Sequence, residues 1–303
     1  MQSEVHFVER FDVHRTVTDK IVAAIEAGAG EFVMPWHRVT PGTGRPANAA
    51  SRMKYRGINV VALWAEAMVS GYGSGWWATY EQWKRLGAQV RKGEHGTTIV
   101  FYKQLSPTEV EDDDESGSER RLVARAFRVF NQDQIAGWDP PTPLTANLVE
   151  TLEQAEAFVA STRATIRHGG NAACYLSKED AIKMPRRGAF VGSPTCTATE
   201  AYYSTLLHEL THWSGAKHRL DRQFGERFGD DAYAMEELVA ELGAAFLCAD
   251  LEITNEPRPD HAAYLATWLK VLGDDPRAIF LAARSASNAA AYLGALVGDP
   301  TPP

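Results

Sequence analysis

Cysteine is scarce in this chain of 303 residues: Cys174, Cys196 and Cys248 are the only three, and no two form a C-x-x-C pair. That excludes a disulfide framework and a thiolate metal cage, and it fits a reducing cytoplasm. Long apolar runs are also missing, so no membrane-spanning helix is expected. The opening Met1-Gln2-Ser3-Glu4 has neither the basic start nor the apolar stretch of a signal peptide. Positive charge is in deficit, with 31 Lys and Arg against 39 Asp and Glu and a net charge of −8. The deficit is uneven. Residues 1–104 hold 13 Lys and Arg against 9 Asp and Glu, which leaves −12 for the remainder. A basic front on an acidic back points to a nucleic-acid-binding module joined to something else. An apolar fraction of 45% and a charged fraction of 23% are those of a soluble globular protein, long enough for two domains with a core each.

The run His208-Glu209-Leu210-Thr211-His212 is the strongest chemical signal. Histidines four apart project from one side of a helix and can share a metal ion, and Glu209 then stands where it can deprotonate a water. The flanks support a real helix: Thr197-x-x-Glu200 reads as a capping box, and Gly215 supplies a stop. Leu206, Leu207 and Leu210 give that helix an apolar face. A purely solvated stripe fits poorly with two histidines around Glu209.

Helical spacing is also read over Phe11–Ala27, Ile58–Val69 and Thr79–Leu86, with a Pro- and Gly-rich loop from Pro35 to Pro46. Thr97–Lys103 and Leu122–Phe130 read as strands. The acid run Glu111–Glu115 between them reads as a solvated hairpin tip. A Pro-rich linker over residues 141–149 then separates a front domain, 1–140, from a rear domain, 150–303. In the rear, a helix over Leu148–Thr162 precedes short strands at Ala173–Leu176 and Ala181–Met184. The HExxH helix follows, then helices over Asp231–Asp250, Pro259–Leu272 and Pro276–Leu296. Strands followed by a helical majority predict an α+β fold. Ala181–Met184 is the expected edge strand for an extended peptide.

A catalytic zinc takes three protein ligands, so a third is needed. His218 completes the long H-x-x-x-H-x-x-G-x-x-H pattern, with Met235 as a conceivable Met-turn residue, yet Met235 falls inside a helical run. The alternative is an acid on the next helix, where Glu236, Glu237 and Glu241 compete. Glu237 and Glu241 share a face, so one can ligate while the other orients a histidine. The choice falls on Glu237 as ligand and Glu241 as support, with His218 as the alternative. Zn2+ suits this donor set best, and Mn2+ or Co2+ could take its place. Tyr202, Tyr203, His218 and Tyr233 are candidate donors to a developing oxyanion.

Ala201–Arg222, followed by Glu236-Glu237-Leu238-Val239-Ala240-Glu241, resembles the C-terminal part of ArdC-type antirestriction proteins of conjugative plasmids. Tyr55-Arg56-Gly57-Ile58-Asn59, Trp77-x-Thr79-Tyr80-x-Gln82-Trp83-x-x-Leu86-Gly87 and Val90-Arg91-Lys92-Gly93-Glu94-x-Gly96 resemble that family's N-terminal domain. The resemblance implies a front domain that binds single-stranded DNA and a rear zincin-like metallopeptidase domain of the SprT type. It also implies protection of incoming plasmid DNA from host restriction. Non-specific strand binding needs cations for phosphates and aromatic faces for bases. Arg45, Lys54, Tyr55, Arg56, Trp76 and Lys92 are the candidate contacts, whereas Trp64 and Trp83 sit among apolar neighbours and read as core. Two functions follow. One is a peptidase of unknown protein or peptide substrate, with Glu209 as general base. The other is a coat for single strands whose metal domain is structural. Nothing resembles the paired carboxylates of a two-metal nuclease.

Overall fold

The computed structural model describes residues 12–28, 44–104, 122–140, 148–193, 196–222, 231–254 and 261–298. Most of the Pro- and Gly-rich stretch, the acidic hairpin tip and positions 141–147 of the expected linker lie outside these.

Helix α1 (Val13–Gly28) begins where the Asp12 carboxylate accepts from the backbone N–H groups of His14 and Arg15, at 2.9 and 3.2 Å. Its Val13, Val17, Ile21, Ala24 and Ile25 fall on one face, and all five are buried. Next come β1 (Ala47–Asn48), α2 (Ile58–Ser70), β2 (Trp76–Ala78), α3 (Tyr80–Arg85), β3 (Gln89–Val90), β4 (Thr97–Gln104), β5 (Leu122–Asn131) and β6 (Ile135–Ala136). Strands β1, β2, β5 and β4 form a four-stranded sheet in that order, with β4 and β5 antiparallel from Thr97 opposite Val129 to Gln104 opposite Leu122. Helix α2 is buried from Ile58 through Ala65. Its Asn59 side chain grips β4, accepting from Val100 N–H at 2.8 Å and donating to Val100 C=O at 2.9 Å.

The rear half opens with α4 (Leu148–Ser161) and strands β7 (Thr165–His168), β8 (Cys174–Leu176) and β9 (Ala181–Met184). These pair in the order β7-β9-β8, with β7 parallel and β8 antiparallel to β9. Ala181–Met184 is therefore the central strand, which corrects the expectation of an edge. The unforeseen β7, four residues with two charged or polar ends, covers one side of it, and β8 is left as an edge. Four helices follow: α5 (Ala198–Ser214), α6 (Asp231–Asp250), α7 (His261–Asp274) and α8 (Ala278–Ala295). Small residues on α8, among them Ala282, Ala283, Ala286 and Ala289, are fully buried and let α6 approach closely. None of the three cysteines is in a disulfide.

One apolar core runs through both halves, from α1 and α2 to α5, α6 and α8. Trp64 of α2 packs on Phe246 of α6 with ring centroids 5.7 Å apart. Thr18 donates to Pro276 C=O at 2.6 Å, and Gly57 N–H donates to Ser287 Oγ at 2.8 Å. A smaller cluster, built on Ala49, Ala78, Trp83 and Ala88, lies beneath Trp76 and Trp138.

Candidate metal centre

Helix α5 starts at the expected capping box. Thr197 Oγ1 accepts from Glu200 N–H at 3.2 Å, and the Glu200 carboxylate accepts from Thr197 N–H at 2.8 Å. Gly215 ends it, in a right-handed conformation. The intervening turns carry His208 and His212 to one side, where they meet acids from α6. The two Nε2 atoms are 3.1 Å apart. Glu237 completes the triangle, with one oxygen 3.5 Å from His208 Nε2 and the other 3.5 Å from His212 Nε2. Ligand atoms on a tetrahedral ion with bonds of about 2.0–2.2 Å lie about 3.3–3.5 Å from one another. The three donors fit such an ion, and they are the grouping of metal-ligating atoms found among the described residues.

Acids of α6 face the far nitrogen of each imidazole, one at hydrogen-bond distance and one slightly beyond it. His212 Nδ1 lies 3.1 Å from Glu236 Oε1. Glu236 is gripped in turn by Arg222, through Nη2 at 2.8 Å and Nε at 3.2 Å, and Arg222 Nη1 donates to Ser214 Oγ at 2.8 Å. His208 Nδ1 faces the fully buried Glu241 at 3.6 Å. Burial pushes the Glu237 carboxyl up, but hydrogen bonding to His208, the charges of His212 and His208, and Tyr233 outweigh it and hold the pKa at about 2. Burial likewise opposes ionisation of Glu236, and its bonds to His212 and Arg222 win, leaving its pKa lowered. The α6 acids thus divide their work: Glu237 meets both Nε2 atoms, while Glu236 and Glu241 stand behind the rings. Sequence reasoning had Glu236 only as a rival for ligation. It missed Arg222, for which no pattern in the sequence gave a signal.

Glu209 is buried beside His208. Its negative charge reaches the Cys174 thiol of edge strand β8, which burial first and Glu209 second push to higher pKa. His218 turns away from the triangle. It is exposed, and its Nε2 lies 3.3 Å from Asp180 Oδ2. Arg219 binds the same carboxylate and lies over the Trp213 ring, 3.7 Å from its centroid. Met235 stands within α6, so there is no turn for it to make. Of the four candidate donors, Tyr202 is bonded to His168, Tyr203 to Glu156 and His218 to Asp180, whereas Tyr233 reaches Glu237.

The expected nucleic-acid contacts scatter. Arg45 lies inside, 9% exposed, with Nη1 2.8 Å from Asp250 and its guanidinium 4.7 Å from the Phe246 centroid. Tyr55 is also buried, and its hydroxyl accepts from Asn48 Nδ2 at 3.2 Å. Both were expected at the surface; the shared core has claimed them instead. Lys54 is exposed but paired with the other Asp250 oxygen at 2.7 Å. Arg56 and Lys92 are exposed, and Trp76 is half-buried beneath Arg52, a cation of the same segment that is not among the six candidate contacts.

Residues 11–130 match the N-terminal domain of anti-restriction factor ArdC, and residues 153–285 match the zincin-like metallopeptidase domain. The Mn(II)-bound crystal structure of the antirestriction protein ArdC from plasmid R388 has a TM-score of 0.76 and 38% identity, over 95% of this chain and 99% of that one. The chain belongs to the ArdC antirestriction family. The metal-free ArdC structure gives 0.74 and 39%, over 95% and 98% of the two chains. The uncharacterized protein y4eC of Sinorhizobium fredii is 46% identical over 95% of this chain and 93% of its own length. A DNA primase TraC of Escherichia coli is 36% identical over 91% of this chain, which spans only 26% of that protein. The family's two-domain architecture is thus present, an ArdC-type front followed by a zincin-like rear, and a zincin-like domain implies a divalent metal. No helix among the described residues is long and apolar enough to cross a membrane.

Proposed function

We propose that this chain is an antirestriction protein that binds single-stranded DNA without sequence preference and carries a working metallopeptidase centre. His208, His212 and Glu237 hold one divalent ion, with zinc the best match to two imidazoles and a carboxylate. When bound, such an ion supplies Lewis acidity, polarising a carbonyl and acidifying water. The observation that carries the reading is the triangle of 3.1, 3.5 and 3.5 Å immediately beside Glu209.

The chain's own residues then have defined tasks. Glu209 takes the proton from the attacking water and returns it to the leaving amine. Glu236 and Glu241 keep the far nitrogens of His212 and His208 protonated, so that both Nε2 lone pairs face the triangle. Tyr233, hydrogen-bonded to Glu237, is the hydroxyl donor we assign to a developing oxyanion. Strand β8 offers its free edge to an extended peptide, with Glu209 close to Cys174 on that strand. The exposed cations and aromatics of the front half support strand binding, and the ArdC resemblance supports protection of incoming plasmid DNA in the cytoplasm as its purpose.

Glu209→Gln is the test. It preserves shape and all three ligands, so metal stoichiometry and strand binding should match the wild type. Peptide cleavage and restriction protection should both be lost. Retained protection in that variant would make the metal domain a scaffold and the protein a coat for single strands.

A further inference from the structure

Arg52 has a backbone φ of 63°, in the left-handed region that glycine occupies freely and a long side chain does not. A closed turn imposes it. Asn48 Oδ1 accepts from Ala50 and Ser51 N–H at 3.0 Å each, Arg52 N–H donates to Asn48 C=O at 2.8 Å, and Asn48 N–H donates to Met53 C=O at 2.9 Å. The turn thrusts Met53 outward, 71% exposed. It also lays the Arg52 guanidinium 5.1 Å from the Trp76 centroid and 6.0 Å from that of Trp138, whose rings meet edge to face at 6.3 Å.

An exposed cation–π contact returns about what the left-handed backbone costs, so the fold gains nothing over glycine here. The side chain is available to serve something outside the fold. Its charge is available: Asp250 engages both Arg45 and Lys54, whereas Arg52 and Arg56, four residues on, form no ion pair with a carboxylate among the described residues. A planar, exposed guanidinium braced from behind by two indoles is a platform for another flat group, and a second exposed cation four residues along the chain suits a phosphate.

We propose that Arg52, backed by Trp76 and Trp138, is the point at which an unpaired nucleobase stacks, with Arg56 taking the neighbouring phosphate. This rests on the strand-binding reading above and gives it a place. A duplex hides its base faces, so the site selects single strands.

The test uses the full chain and a fluorescein-labelled oligo-dT followed by polarisation at low salt. Arg52→Gly removes the side chain and relieves the backbone together, so its melting temperature should equal or exceed the wild type. Its affinity for the strand should fall about 5- to 150-fold, the loss of one stacked base. Arg163, also exposed and at φ 55°, lies in the rear half and gives the matched control. Arg163→Gly sheds the same charge and should bind like the wild type. Arg52→Lys keeps the charge but not the plane, so it should bind more weakly than the wild type by a similar factor at every salt concentration, with an unchanged salt slope. Binding by Arg52→Gly within twofold of the wild type, or an equal loss in Arg163→Gly, overturns the proposal. A wild type that binds no strand overturns the strand-binding reading itself.

Discussion

Replacing Gly243 by alanine should cost this protein its metal before it costs it its fold. Gly243 lies on α6, seven residues after Glu236, against Thr211 of α5. A Cβ there would stand 2.5 Å from Thr211 Cγ2 and 2.7 Å from Thr211 Oγ1. Ordinary contact requires the helices to part by about 1 Å. Thr211 immediately precedes His212, so that parting stretches the 3.5 Å gaps between Glu237 and the imidazoles toward about 4.5 Å. Two bonds of about 2.0–2.2 Å laid end to end cannot span it. On stability the effects oppose. Alanine improves a helix interior by about 1 kcal/mol, while overpacking costs about 1–3 kcal/mol. The net is a melting temperature lower by a few degrees at most. Titration of zinc against a competing chelator should show affinity lower by at least about tenfold, the scale seen when support around a metal is disturbed. Adding Thr211→Ala removes both clashing atoms and should restore most of it. Undiminished zinc affinity in Gly243→Ala would mean that helix spacing does not set the triangle.

Arg222→Ala should lower metal affinity about 10- to 100-fold by freeing Glu236 from its clamp, and Arg222→Lys should not rescue it, because an ammonium cannot make the two parallel bonds; equal zinc affinity in all three proteins refutes this. The pair formed by Asp180 and Arg219 gives a pH signature. Hydrogen bonding from Arg219 holds the Asp180 carboxyl at about 2, below its ordinary value of 3.8. Its stabilisation is therefore complete above about pH 4 and disappears as the pH falls through about 2. Because Asp180 is 41% exposed, the contribution is under about 1 kcal/mol. Asp180→Asn should melt below the wild type at pH 7 and together with it at pH 2, and a gap that persists in acid contradicts the assignment.

The parts that were legible in the sequence are those whose information is local. The α5 capping box, the apolar face of α1 and the β-branched and aromatic β4–β5 pair each specify themselves over a few turns or one hairpin. So does the pairing of His208 with His212, because helical spacing alone puts them together. The strands β1, β2, β3, β6 and β7 were not legible: they are two to four residues long and exist only because a distant partner pairs with them. The same applies to Arg45 and Tyr55. Their neighbourhood is basic and aromatic in sequence, yet Asp250, about two hundred residues away, decides that Arg45 turns inward. Among the three acids of α6, the shared face of Glu237 and Glu241 led to Glu237 as ligand, whereas the place of Glu236 behind His212 depends on how α6 is rotated against α5.

Asp250 ends the helix that carries Glu237, a position where a negative charge opposes the helix dipole and needs cations nearby. Those cations, Arg45 and Lys54, are lent by the front half. Together with the packing of Trp64 on Phe246, this makes the two halves a matched set. A chimera that takes its front from one relative and its rear from another must inherit both sides of this joint or lose the orientation of the metal-bearing helix. Both halves travel as a block inside the much longer TraC relative, as such a joint requires.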